Sequence, residues 1–570
     1  MESCAIHLES EWGIQPAQRY AGEQLKKYLE KAGKQISSHG GCGVTLRLSA
    51  QAPAGGGFRL QVAGNQALLE SKEPCGLVYG TFTLLEKMGF RFLAPDCDVI
   101  PQDCCFPEDQ DEIIQPAFAG RELFWREAME GDFAVRLKLN SGRSSITSEQ
   151  GGKMPYYNFS HTFEQLVPVE KWYDTHPEYF SMKDGKRLRE KEQLCLSNPE
   201  VLQLCVEGVK TWAREHPECR IFSVSMNDWY NPCECPACRA IDQEEESQAG
   251  SVIRFVNAVA DQVRQEFPEI LIHTFAYLYC RKPPKHVRPA ENVIVRLCTI
   301  ECCFGHPIAQ CGRERGGIDV QYGSSSNFDD SDGENCSAFL RDLEGWSRIC
   351  NNLYIWDYTV NYANYLLPFP NLKVLQENLR LFRSYGVKGV FEQGNFSLGH
   401  SSALGQLKIY LLGKLLWNPE ENTEELIKDF VMNYYAGAGE AMMRYVRLWQ
   451  QLPGDCHIGI YDRPDAPYLT DSVIEEAEEI LSEAMVKAEN DTVRERIRRE
   501  ALSPAYARLT REDPMTPGHR ERVDSFSREL QALGITEIFE RKELSASLER
   551  IKESRYAADR TGIPGISYPI

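Results

Sequence analysis

Apolar and polar positions alternate in a series of short runs along the middle of the chain. Phe222, Val224 and Met226 alternate with Ser223 and Ser225, which predicts a strand over 221–226 running straight into Asn227-Asp228-Trp229. Further strands are predicted over 122–125, 179–181, 270–277, 293–299, 353–356 and 389–391. Helical spacing lies between them, over 199–216, 251–267, 335–349 and 372–385. Strands separated by helices imply parallel βα units, and this repeat over residues 116–417 predicts an α/β fold with a (β/α)8 barrel. A doubly wound open sheet is the alternative, but no Gly-x-Gly-x-x-Gly stands between a strand and a helix.

The flanks read differently. Residues 1–115 predict a small α/β domain. Tyr20, Leu25, Tyr28 and Leu29 share a helix face, Phe58, Leu60 and Val62 alternate after a triple-glycine turn, and 75–88 is an apolar-faced helix ending at Gly89. Pro101, Pro107 and Pro116 punctuate the exit from this domain. Residues 418–570 predict a helical region, with helices over 423–435, 441–452, 471–489 and 491–509.

With 570 residues, two to four domains are expected. The net charge of −20 argues against nucleic acid and anionic membrane as partners, because both select basic surfaces. No apolar stretch approaches the ~20 residues that span a bilayer, and residues 1–20 lack a basic start and a long apolar run. A cytoplasmic location is therefore expected, with most of the 20 cysteines reduced and buried.

Each predicted strand end carries polar chemistry. Asn227, Asp228 and Trp229 follow one strand, Tyr277 ends the next, Glu301 and Cys303 follow a third, Trp356-Asp357-Tyr358 a fourth, and Glu392 a fifth, with His161 in an early loop. On a barrel these converge at the carboxyl rim. Glycoside cleavage needs a proton donor to the leaving oxygen and stabilisation of an oxocarbenium-like centre. Where the sugar carries a 2-acetamido group, its carbonyl oxygen can act as the nucleophile, leaving the enzyme to supply one acid and one group that polarises the acetamide. Asp228 as acid and Asn227 as acetamide partner meet that demand; Glu301 and Glu392 are the competing carboxylates. Arg121, His161, Trp229, Tyr277, Trp356, Asp357 and Tyr358 are the candidate subsite walls. Cys233-x-Cys235-x2-Cys238 supplies three thiols, and a structural zinc needs a fourth ligand, for which Cys303 is the candidate beside Cys302 and His306. No cofactor is expected for catalysis.

Several segments together resemble a known family: Leu77-Val-Tyr-Gly-Thr-Phe82, Leu85-Glu86, His176-Pro-Glu-Tyr-Phe180, Ser225-Met-Asn-Asp228, Cys233-Glu-Cys-Pro-Ala-Cys238, Trp356-Asp-Tyr358 and Gly386-Val-Lys-Gly-Val-Phe391. They are similar to the domain-of-unknown-function 4838 family, part of which is classified as glycoside hydrolase family 163. Residues 1–115 also look like the accessory domain that precedes barrels in β-hexosaminidases and α-glucuronidases. The resemblance implies a (β/α)8 barrel and a retaining endo-β-N-acetylglucosaminidase acting on N-glycans through the substrate's acetamido group, with an oligosaccharide as partner. The strand-end pair in acetamido-assisted hexosaminidases is two acids, or Asn followed by Glu; here it is Asn227-Asp228. The rival expectations are an exo-acting, α-glucuronidase-like enzyme using two carboxylates and a non-catalytic carbohydrate-binding protein.

Overall fold

The computed structural model describes residues 3–37, 41–311, 335–397, 402–452, 454 and 456–553. The expected C-terminal region therefore extends, over 554–570, outside the described residues.

The first sheet is built from β1 (Ser3–Ser10), β2 (Gln35–Ile36), β3 (Cys42–Leu48), β4 (Phe58–Ala63) and β5 (Gln66–Ser71), followed by a hairpin of β6 (Arg91–Ala94) and β7 (Cys97–Val99), and then by β8 (Gln110–Ile114). Strands order as β2-β1-β3-β5-β4-β8. The Pro16–Lys31 and Pro74–Lys87 helices pack on this sheet, each opening with proline at its first turn, where the missing N–H costs nothing. Glu86, near the end of the second helix, holds Lys138 at 2.7 Å and also Lys414. This buried ion triad ties the first sheet domain to the segment between β9 and β10 and to the Gly405–Trp417 helix.

The central sheet is wholly parallel. It contains β9 (Gly120–Phe124), β10 (Tyr156–Tyr157), β13 (Ile221–Ser223), β14 (Leu271–Ala276), β15 (Val293–Cys298), β16 (Leu353–Tyr358) and β17 (Gly389–Gln393); a small hairpin of β11 (Met182–Lys183) and β12 (Lys186–Arg187) lies outside it. The order β10-β13-β14-β15-β16-β17-β9 is that of a curled sheet in which the first strand has joined the last. The expected eight-stranded closed barrel is thus met in part, with seven strands and a gap between β9 and β10. Asn140 occupies that gap. Its Oδ1 accepts from the Arg121 N–H at 2.8 Å, its N–H donates to the Arg121 carbonyl at 3.2 Å, and its own carbonyl accepts from Met154 at 2.8 Å, two residues before β10.

Local differences from the sequence expectation have physical causes. The strand expected over 179–181 is instead a 3-10 turn, Pro177–Tyr179, with one isolated bridge from Phe180 to Leu194, because Pro177 starts a turn and the apolar run is too short to alternate. The strand expected over 221–226 stops its regular ladder at Ser223, and the loop before the Phe163–Leu166 helix takes over: the Thr162 and Phe163 N–H groups both donate to the Ser225 carbonyl at 3.1 Å. Tyr156–Tyr157, a strand of only two residues, had no periodicity to reveal it.

Helices Thr423–Tyr434, Gly439–Gln451, Asp471–Lys487, Asp491–Arg511, His519–Ala532 and Leu544–Glu553 form the C-terminal region. Among the described residues no helix is long and apolar enough to cross a membrane.

Candidate active site

The inward side of the central sheet is set by strand alternation. At its lower level Arg296 and Glu122 form a fully buried ion pair at 3.0 Å, with the Arg296 guanidinium also donating to Tyr156 Oη at 2.8 Å and to His273 Nε2 at 3.2 Å. Above this polar floor comes an aromatic layer: Phe159 and Phe391 at 4.8 Å, Trp356 and Phe391 at 4.5 Å, and Phe275 and Trp356 at 5.6 Å between ring centroids. Trp356 Nε1 is held by Gln393 Oε1 at 2.8 Å, which fixes the indole plane at the carboxyl end of the sheet.

Asp228 stands over this layer. Its side chain is 2% exposed, and Oδ1 has no hydrogen-bond partner among the described residues. His161 Nε2 is 3.7 Å from Oδ2, and the Tyr277 hydroxyl stands close enough to favour the charged carboxylate. Burial pushes the Asp228 carboxyl above its ordinary range, and neither the His161 charge nor the Tyr277 hydroxyl cancels that rise. His161 sits in the left-handed region at φ 54°, a conformation that L-residues hold only where neighbours impose it. The stitching of residues 162–163 onto Ser225 imposes it here, and the ring is fixed by Nδ1 donating to the Met226 carbonyl at 2.9 Å.

Asn227 faces elsewhere. Its Oδ1 accepts from the Glu164 N–H at 3.1 Å, while Nδ2 donates to the Glu192 carbonyl at 3.1 Å and to Glu192 Oε1 at 3.3 Å. Its amide is therefore committed to the Phe163–Leu166 helix and to the Glu192 segment, which holds the backbone beside Asp228. Behind it, burial raises the Glu192 carboxyl to about 8, with Glu164 adding to the rise.

The remaining expected residues separate into two groups. Tyr277, His161, Trp356 and Tyr358 lie with Asp228 on the inward side, Tyr358 packing on Trp356 and Tyr362. Glu301 is near enough to influence Tyr277 electrostatically, but its carboxylate pairs with Arg281 at 3.0 Å, which also binds Asp342 at 2.8 Å. Asp357 and Glu392 fall on the opposite side of their strands from Trp356 and Phe391 and are register partners. Asp357 accepts from Thr299 Oγ1 at 2.5 Å, and burial beside Asp357 drives the Glu392 carboxyl far up. Arg121 is fully buried against the first domain, between Tyr79 and Trp417, with its guanidinium donating to the Lys138 and Phe118 carbonyls. Trp229 is half-buried, and its carbonyl accepts from Gln193.

Two residues that the sequence did not flag reach the same mouth from the C-terminal region. Burial, with a further contribution from the Asp228 charge, raises the Glu540 carboxyl to about 7, and Arg541 opposes both rises. The Glu540 N–H is anchored on the Tyr362 carbonyl at 2.9 Å. Arg143 lies over Phe124, and Arg126 over Phe396, which itself stacks on Phe124 at 4.6 Å. Only the three-dimensional path of the chain brings these residues together; no local pattern marks them.

Cys233, Cys235 and Cys238 do cluster, and the fourth thiol is Cys195 rather than Cys303. All four sulfurs lie within 4.8 Å of one another and all four residues are buried. Cys195 Sγ and Cys235 Sγ are 3.7 Å apart. That matches the edge of about 3.8 Å expected of a tetrahedron with metal–sulfur bonds of about 2.3 Å. The Met182 N–H donates to Cys233 Sγ at 3.4 Å and the Cys238 N–H to Cys235 Sγ at 3.5 Å, as outer-shell donors do for metal thiolates. The donor set suits zinc.

The family model described as "Domain of unknown function (DUF4838)" matches residues 92–447, well over half of the chain. No curated protein matches the sequence. Among solved structures, a family GH115 4-O-methyl-α-glucuronidase with specificity for decorated arabinogalactans is similar in fold, with a TM-score of 0.56 at 10% identity, over 94% of this chain and 77% of that one. A GH138 enzyme targeting pectin rhamnogalacturonan II aligns with a TM-score of 0.46 at 10% identity, over 93% and 91%. A β-N-acetylhexosaminidase from Bacteroides fragilis aligns with 0.42 at 12% identity, over 79% and 92%.

Proposed function

The chain belongs to the DUF4838 family, and from that premise we propose that it is a glycoside hydrolase in which Asp228 is the general acid. One observation carries the reading: a carboxyl at the end of a parallel strand, over an aromatic floor, raised by burial and aimed by Tyr277 and His161. A raised pKa keeps the proton that a leaving glycosidic oxygen needs.

The finer reading is a β-linked N-acetylhexosaminide cleaved with retention, the sugar's acetamido oxygen serving as nucleophile. Trp356 and Tyr358 would form the wall against which the acetamide lies, and Asn227 would position the acid rather than touch substrate. A zinc ion on Cys195, Cys233, Cys235 and Cys238 would hold the loop after Asp228 rigid, a closed site with no chemistry of its own. Hydrolysis of aryl β-N-acetylglucosaminides and a biantennary N-glycan, with and without a thiazoline inhibitor, tests this reading. Turnover of N-acetylated substrates alone, blocked by thiazoline, is the expected result; turnover indifferent to the acetamido group overturns it.

A second reading has its own support. Glu540 offers a second carboxyl within electrostatic reach of Asp228, and Arg126, Arg143 and Arg541 give the mouth a cationic side. That pair would suit a two-carboxylate enzyme acting on an acidic sugar, since guanidinium groups bind carboxylates as a fork. Cleavage of a uronide that thiazoline leaves untouched would establish it.

A further inference from the structure

A second sulfur and nitrogen cluster lies away from Asp228. The loop after β15 carries Cys303, His306 and Cys311, and the C-terminal region brings His457 against them. One ligand atom from each lies within 4.8 Å of the others. Cys303 Sγ is 3.4 Å from His306 Nδ1, and Cys311 Sγ is 3.4 Å from His457 Nδ1. Metal–sulfur bonds of about 2.3 Å and metal–nitrogen bonds of about 2.0–2.1 Å in a tetrahedron give sulfur–nitrogen edges of roughly 3.5 Å. The two imidazole rings are 5.3 Å apart between centroids and inclined at 67° to each other.

The surroundings prepare these atoms for a cation. His306 Nε2 lies 2.8 Å from the Gly454 carbonyl. A carbonyl only accepts, so Nε2 carries the proton and Nδ1 is left as the lone-pair atom facing the thiols. Cys303 Sγ accepts N–H groups from Gly305 at 3.3 Å and from Ile458 at 3.4 Å, which stabilise a thiolate rather than a thiol. Cys303 and Cys311 are free cysteines, not a disulfide. Two thiolates and two neutral imidazoles balance a divalent ion, which removes the cost of burying the charges separately.

We propose that Cys303, His306, Cys311 and His457 form a second structural metal site, of zinc type, that clasps the C-terminal region to the rim of the central sheet. All four positions are filled by protein, as in closed structural sites. The backbone on either side of His457 follows the clasp. The Phe304 N–H donates to the Ile458 carbonyl at 2.9 Å, the Tyr362 N–H to the Ile460 carbonyl at 2.8 Å, and the Asn361 and Asn364 amides both donate to the Asp462 carbonyl, at 2.7 and 3.0 Å. The site is independent of the glycosidase reading, because it concerns assembly rather than turnover.

The test is metal analysis of the full chain, purified without a metal-affinity step, followed by zinc-edge X-ray absorption. Two zinc ions per chain are expected, with an average shell of three sulfurs and one nitrogen, the mean of an all-sulfur site and a two-sulfur, two-nitrogen site. Cys311→Ser and His457→Gln should each bring the content from two to one, while Cys195→Ser removes the other ion. One zinc with a purely sulfur shell, or a content unchanged in folded Cys311→Ser, would overturn the proposal. The absorption measurement needs no variant and decides the matter even where the variants do not fold.

Discussion

Replacing Asp228 with asparagine isolates the proton from everything else the side chain does. The amide has nearly the shape of the carboxyl and keeps an oxygen able to accept from the Tyr277 hydroxyl beside it. Burial already works against the charged carboxylate, so the neutral amide is well tolerated there, and stability should move by no more than about 1 kcal/mol. A positioned acid is worth about 10²–10⁴ in rate, or about 2.7–5.4 kcal/mol of barrier. The assay compares two N-acetylglucosaminides, one with a phenol leaving group of low pKa and one with an alkyl alcohol. Asp228→Asn should lose about 10²–10⁴ in kcat on the alkyl substrate and much less on the activated one, whose leaving group departs without protonation. In the unsubstituted enzyme, kcat/KM should fall as pH rises through the raised Asp228 pKa, since the ionised carboxylate has nothing to give, and that limb should vanish in the variant. A folded Asp228→Asn protein losing less than tenfold on the alkyl substrate would refute the assignment.

Tyr277→Phe removes a hydroxyl that lowers the Asp228 pKa, so the alkaline limb of the pH profile should move to higher pH; a shift to lower pH would reverse the argument. Glu540→Gln should cost less than about tenfold in kcat on N-acetylated substrates if the acetamide is the nucleophile, and a loss beyond about a hundredfold would move the second role to Glu540. Glu86→Gln leaves Lys138 and Lys414 buried without their carboxylate, and thermal or urea unfolding should report a loss of about 3–5 kcal/mol. Burial alone would raise Glu86, but the two ammonium groups outweigh it and bring the carboxyl from 4.5 down to about 2. Its stabilisation is therefore complete above about pH 4.5 and disappears as pH falls towards 2, so the gap between parent and variant should close over that window. Cys195→Ser should release one zinc equivalent and lower the melting temperature, read by metal analysis and calorimetry.

Much of the central sheet was legible because the short apolar runs over 270–277, 293–299 and 353–356 form β14, β15 and β16. The candidate acid was picked out because Asp228 follows the 221–226 run, and the structure buries it above the inward aromatic layer. What failed were inferences about direction and distance. Trp356 and Asp357 are adjacent in sequence, yet alternation sends them to opposite sides of β16, and only the first joins the site. Asn227 lies four residues beyond the end of β13 rather than at it, and the orientation of its amide depends on Glu164 and Glu192, which no spacing rule connects to it. Arg121 has the chemistry of a sugar ligand, but Tyr79 and Trp417 enclose it. The same holds for the thiols. Cys233-x-Cys235-x2-Cys238 announces a metal loop, whereas Cys195 and His457 reach their clusters only through the fold.

The contribution of Glu540 and Arg541 to the Asp228 environment has a consequence for biosynthesis. About 300 residues separate the acid from these partners. At ribosomal rates of about 5–20 residues per second, that interval is roughly 15–60 s. Throughout it, the nascent chain carries Asp228 without Glu540 and Arg541, and until residue 457 is made Cys303, His306 and Cys311 lack His457. If Asp228 is the acid, a chain that stalls before residue 540 should lack activity, and one that stalls before residue 457 leaves the Cys303 and Cys311 thiols to whatever oxidant or metal they meet first.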